Sequence, residues 1–171
     1  MTCVLGICHK GRVLLGGDSS VSGNKGTQWI CDDPKVWRAG QYAIGCAGSA
    51  SVYALMRTVD LPAPPSRGVV RFMRIEVARA LRKAVDEMGI DTGEEDEVLI
   101  GLYGKLYYVG GDFDIDTYSR DFAIGGGGVV AMPLLAALRG TAPPRQLAKR
   151  VLSITSDFRT DVRPPFRFVE V

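Results

Sequence analysis

The order in which helices arrive constrains this chain more than any single motif. Strand-like runs at residues 2–8 and 12–17, around a His9-Lys10-Gly11 turn, read as a hairpin. Further short strands are expected at 28–31 and 42–46, separated by a polar segment, 32–41. Two helical patterns follow. In ASVYALMRTV, Val52, Leu55, Met56 and Val59 keep helical spacing; over residues 69–88, Val70, Met73, Val77, Leu81, Val85 and Met88 form an apolar stripe. LPAPPSRG divides them, because proline removes a backbone donor and disfavours helix at the residue before it. A second group of strands is expected at 98–103, 106–109 and 121–124, then helices at 129–138 and 145–156 split by GTAPP, and a last strand at 166–171. Helices that come in pairs between groups of antiparallel strands argue against alternating βαβ units. They predict an α+β chain of layered sheets with helices on the outer faces. No repeat or linker interrupts it, and residues 1–171 are read as one domain.

Composition narrows the function classes. A net charge of +2, with scattered basic residues, gives no electrostatic footprint for nucleic acid. No apolar run is long enough to span a membrane, and His9, Lys10 and Arg12 break the first one. A soluble, cytoplasmic protein is expected. Cys3, Cys8, Cys31 and Cys46 include no C-x-x-C pair and are read as reduced, mostly buried thiols. Cys8 and His9 are adjacent on a strand, so the pleat points them to opposite faces. A dyad or metal site built from that pair is disfavoured.

Two motifs invite over-reading. Residues 126–131 satisfy G-x-G-x-x-A, the turn that cradles a dinucleotide pyrophosphate, but the next acidic residue is Asp157, beyond a second helix. Close backbone packing explains the glycines better. Asp112, Asp114 and Asp116 imitate the start of a calcium loop, yet Thr117 and Ala123 stand where glycine and glutamate are needed. Those aspartates are placed on the solvent face of a strand or turn.

Thr2 carries the chemistry that matters. Once Met1 is removed, Thr2 holds a hydroxyl and a free α-amine on one residue. An α-amine has a pKa of about 7.7–8.0 and takes the hydroxyl proton directly or through water, so no histidine base is needed. A cation nearby keeps that amine neutral, and an acidic group holds the cation. Lys35 in DDPKVWR and Asp18 in GGD are candidates for those parts. The short hairpin is able to return Asp18 to the side of Thr2.

The opening M-T-x-V-x-G-I-x-x-K-G-R-V-L-L-G-G-D, then Asn24 and the Lys35-Val36 pair, then I-G-C-A-G-S and A-I-G-G-G-G, together resemble the HslV peptidase and the related proteasome β subunits. The similarity runs in order along nearly the whole chain. It implies the N-terminal-nucleophile hydrolase fold, a four-layer αββα sandwich of two antiparallel sheets between helix pairs. It also implies a threonine-type endopeptidase, with Thr2 as nucleophile, Lys35 lowering the hydroxyl and amine pKa values and Asp18 orienting Lys35. Gly45 matches the oxyanion-hole position, and Asp157 and Thr160 match a late acidic and hydroxyl pair near the nucleophile. Gly126 stands where the family carries a serine, which removes a hydroxyl beside the terminal amine. Partners follow from the resemblance alone: stacked rings of the same chain and an HslU-like, ATP-dependent unfoldase that delivers unfolded polypeptide. Peptide hydrolysis itself requires no cofactor, since ATP is used only by that partner.

Three alternatives remain open on the residues. One is a catalytically weak or silent ring subunit, favoured by Gly126 and by any retention of Met1. Another is an N-terminal-nucleophile amidohydrolase acting on a small amide. A nucleotide-binding module, resting on the glycine run alone, comes last.

Overall fold

The computed structural model describes residues 2–23 and 27–171, so Met1 and Asn24 lie outside the described residues. An opening hairpin of β1 (Val4–His9) and β2 (Arg12–Gly17) is extended by β10 (Phe122–Ile124) on one side and β11 (Arg167–Glu170) on the other. A second antiparallel sheet holds β5 (Val36–Ala39), β6 (Tyr42–Ala47), β7 (Glu97–Leu102), β8 (Lys105–Val109) and β9 (Ile115–Tyr118) in that order. A small ribbon of β3 (Ser20–Ser22) and β4 (Gln28–Ile30) stands apart.

Alternation along the strands builds the layers. Val4, Val13, Leu15, Val36, Ala43, Leu99 and Leu106 point inward and fill the space between the two sheets. Cys3, Leu5, Ile7 and Leu14 point the other way, against α3 (Gly128–Leu138) and α4 (Pro144–Phe158), where Ala131, Leu135, Leu147, Val151 and Leu152 meet them. On the opposite outer face Ile44, Cys46, Ile100 and Leu102 pack on α1 (Ala50–Thr58) and α2 (residues 69–88) through Val52, Leu55, Met56, Met73, Val77 and Leu81. Helix, sheet, sheet and helix therefore stack as four layers, as the resemblance implied.

Helix α2 is continuous but not uniform: Val69–Phe72, a π-turn at Met73–Val77, then Ala78–Met88. Its apolar stripe takes three consecutive steps of four residues, from Met73 to Val85, and each step drifts about 40° around a regular helix. The wider turn takes up part of that drift, and Met73, Val77 and Leu81 all become fully buried.

Three strands were not expected: β3, β5 and β9. Strand β5 falls inside the segment read as polar, since Val36 and Trp37 sit between Lys35 and Arg38 and offer only a short apolar signal. That omission matters, because β5 carries Lys35 into the site. Strand β9 contains Asp116 on its exposed side, in keeping with the solvent-face reading of the aspartates. Asp114 pairs with Arg82 at 3.0 Å, and no acidic, His or Cys cluster suited to a metal occurs among the described residues.

Candidate active site

The site grows from the open end of the β1–β2 hairpin. Register pairs Val4 with Gly17, so the next residues out, Cys3 and Asp18, also face each other, and the Asp18 N–H donates to the Cys3 carbonyl at 3.2 Å. The Asp18 carboxylate, fully buried, accepts from Cys3 N at 2.9 Å, Ser20 N at 2.9 Å and Arg163 N at 3.5 Å. A buried carboxylate persists only when its lone pairs are occupied and its charge is matched. Lys35 supplies the charge, with Nζ 3.0 Å from Oδ1 and 3.2 Å from Oδ2.

Lys35 reaches the carboxylate across Gly17. A Cβ on Gly17 would stand 3.4 Å from Lys35 Cβ and 3.1 Å from Val36 Cγ1, so the glycine lets β5 lie close over β2. The turn ahead of Lys35 is held by Arg57 of α1, which donates to the Pro34 carbonyl at 2.6 Å and stacks over the Trp37 ring. Held in this way, Lys35 Nζ also donates to Thr2 Oγ1 at 2.9 Å. Burial lowers the Lys35 pKa from that of a free lysine, against the opposing pull of Asp18. One ammonium thus bridges a fully buried carboxylate and a threonine hydroxyl, with Thr2 and Lys35 only 5% and 4% exposed. The three residues that sequence reasoning placed together are together.

The glycine run closes the other side of Thr2. Gly127 N–H donates to the Thr2 carbonyl at 2.9 Å, and a Cβ on Gly127 would fall 2.5 Å from Cys3 Cβ. Gly125 has φ 79° and lies so close that a Cβ would be 2.3 Å from the Thr2 carbonyl oxygen. Its own N–H donates to Glu97 Oε2 at 2.7 Å. These amides are spent on the chain itself, which fits the close-packing reading of the run over a phosphate cradle. Gly126 lies in the turn between them, half-buried.

Two expected roles do not fit their positions. Gly45 lies inside β6, paired with Val36 on one side and Leu99 on the other. Cys46 N–H donates to the Lys35 carbonyl at 3.1 Å, so by the pleat the Gly45 N–H faces β7, away from Lys35. The next N–H on the Lys35 side is that of Gly48, one step past the last ladder pair, Ala47 with Glu97. Gly48 has φ 123°, and Asp96 fixes its surroundings by accepting from Ser49 N at 2.6 Å and Gly93 N at 3.0 Å. Asp157 and Thr160 are both exposed, at and just beyond the end of α4. The buried late carboxylate is Asp161, which interacts electrostatically with Lys35 and Cys3 and accepts a two-point contact from Arg159 at 2.9 and 2.8 Å. Burial pushes the Asp161 carboxyl up, but hydrogen bonds from Arg159 and from its own backbone N–H, together with the Arg159 charge, hold it below the ordinary range. The resemblance drew the choice to the DFRT segment, one residue short of Asp161.

Other expectations hold. His9 is exposed at the far end of β1, so no imidazole reaches Thr2. All four cysteines are free thiols, and burial raises Cys3, the neighbour of Thr2, to about 12, which leaves it inert as a nucleophile. Tyr53 of α1 was overlooked because it lies inside a helix read for its apolar stripe. Its hydroxyl donates to the Cys46 carbonyl at 2.5 Å.

Comparison with protein-family profiles returns no match, and neither does comparison with curated proteins. Solved structures do match. The BPH protein of Thiobacillus denitrificans, determined in complex with epoxomicin, aligns with a TM-score of 0.81 at 19% identity, covering 99% of this chain and 98% of that one. Eukaryotic HslV from Trypanosoma brucei aligns at 0.71 and 19% identity over 99% and 98% of the two chains. Anbu from Hyphomicrobium, as a Gly-1 mutant, aligns at 0.73 and 14% identity over 99% and 80%. The chain has the proteasome-type N-terminal-nucleophile hydrolase fold. At these identities the likeness concerns the fold, and the chemistry rests on the residues described above.

Proposed function

We propose that this chain is an HslV-like threonine peptidase subunit, in which Thr2, freed of Met1, hydrolyses peptide bonds of unfolded protein. The single observation that carries the reading is the Lys35 ammonium shared between Thr2 Oγ1 and the buried Asp18 carboxylate. An ammonium on the nucleophile's oxygen stabilises the alkoxide character that develops during attack, and it disfavours protonation of a neighbouring amine. Thr2 Oγ forms a bond to the scissile carbonyl carbon while its proton passes to the Thr2 amine, directly or through a water. The oxygen of the tetrahedral intermediate takes the Gly48 N–H, a type of donor whose loss costs about 2.7–4 kcal/mol of barrier. Collapse breaks the C–N bond, and the amine returns its proton to the leaving nitrogen. Water, activated by the same amine, then releases the acyl group and restores Thr2.

Assembly belongs to the same proposal. The likeness to HslV supports stacked rings of this chain and an ATP-dependent, HslU-like unfoldase as partner. A cytoplasmic location fits it, and no helix among the described residues is long and apolar enough to cross a membrane.

The test is intact mass and N-terminal sequencing before and after epoxomicin. A chain that begins at Thr2 and gains one inhibitor mass there supports the peptidase. A chain that retains Met1, or that begins at Thr2 and stays unmodified, supports a silent ring subunit, the reading that Gly126 in place of a hydroxyl residue favours.

A further inference from the structure

Resting on that reading, we infer that the Tyr53 phenol is a positioning residue of the site, a clamp on the strand end that leads to Gly48. Tyr53 stands on the first turn of α1, four residues after Ser49, whose hydroxyl caps the helix by accepting from Val52 N. The phenol proton is committed to the Cys46 carbonyl at 2.5 Å.

The role follows from the Cys46 peptide. Cys46 N–H donates to the Lys35 carbonyl, and Cys46 C=O accepts from Tyr53. Both polar groups of that residue are therefore tied to the neighbourhood of the nucleophile. Two residues on, Gly48 presents its N–H on the same side. A single phenol thus fixes the place of the donor that must receive the carbonyl oxygen. Burial also raises the Tyr53 pKa, so the phenol stays protonated and keeps its hold on Cys46.

Tyr53→Phe removes the hydroxyl and keeps the ring. Tyr42→Phe is the matched control, because Tyr42 also donates its phenol proton to a carbonyl, that of Pro62 at 2.6 Å, away from Thr2. The readout is the rate of epoxomicin adduct formation, separated into a binding constant and a maximal rate, with thermal unfolding alongside. Tyr53→Phe is expected to lose about tenfold or more in maximal rate with binding unchanged. Tyr42→Phe is expected to lose comparable stability and react like the wild type. If Tyr53→Phe does not fold, Tyr53→Met fills most of the same volume and carries the same expectation. A Tyr53→Phe protein that reacts at the wild-type rate, or two variants that slow equally, overturns the inference while the peptidase stands. A wild-type chain that processes to Thr2 and never reacts overturns both.

Discussion

The two ends of the β1–β2 hairpin carry versions of the same device. At each, a carboxylate accepts the backbone N–H of a β1-side cysteine: Asp18 from Cys3 at 2.9 Å, Asp121 from Cys8 at 3.1 Å. Each also faces a cation. Lys35 is buried and touches Asp18 at 3.0 Å, whereas Arg139 is 47% exposed and stands 3.8 Å from Asp121. Only at the first end does the cation reach on to a hydroxyl. A buried carboxylate on a strand N–H is therefore not enough to make a site; the cation must be buried too, and shared with a nucleophile.

The largest expected effect breaks the better-buried pair. Lys35→Met leaves Asp18 charged and uncompensated, and urea unfolding should show a loss of about 3–5 kcal/mol. Epoxomicin should no longer label Thr2. A variant that keeps wild-type stability would mean that the two ends are more alike than their geometry indicates.

Next comes the close approach of the glycine turn at the Thr2 end. Gly127→Ala places a methyl group against Cys3, where overpacking typically costs about 1–3 kcal/mol. Denaturant midpoints measure this directly, and an unchanged midpoint would show that the glycine turn yields without cost.

Acid sharpens the comparison through opposite signs. Asp161 is held below its ordinary value, so its contribution is complete above about pH 3.9 and is lost as pH falls through the lower folded value. Asp161→Asn should flatten the urea-midpoint curve over that acidic window, and parallel curves would refute the assignment. Asp121 runs the other way: burial raises its pKa, so its charge is a small burden at neutral pH that acid relieves.

The smallest effect is at the open end. Arg139→Ala should stay within about 0.5 kcal/mol in the same unfolding assay, because a half-exposed cation gains little from a partner at 3.8 Å. A loss of several kcal/mol would make that end a true counterpart of the Lys35 pair.

What was legible in the sequence follows from locality. The hairpin fixes Asp18 beside Thr2 by counting residues, and paired helices between strand groups led to layered sheets with helices outside, which the resemblance turned into four layers. Lys35 was legible as a residue, through its motif, but not as a place, because β5 is too short to announce itself. The Gly45 assignment failed on parity: strand residues alternate sides, and only the observed Cys46–Lys35 bond shows which side each N–H takes. Asp157 and Thr160 failed because where α4 ends decides which late side chains turn inward, and burial selected Asp161. Tyr53 reaches the site from a helix face that no periodicity marks as functional.

The Asp18 shell is shut from the far side of the chain: Arg163 N–H reaches Asp18 at 3.5 Å, Ser19 N–H donates to the Arg163 carbonyl at 3.0 Å, and the Ser19 hydroxyl donates to the Pro165 carbonyl at 2.6 Å. Thr2, Asp18 and Lys35 are synthesised well before these clasps, the first of which lies 145 positions after Asp18. A nascent chain carries all three polar groups long before it is able to hold them in place. The order of translation keeps Thr2 waiting until the segment around Arg163 and Pro165 has been made.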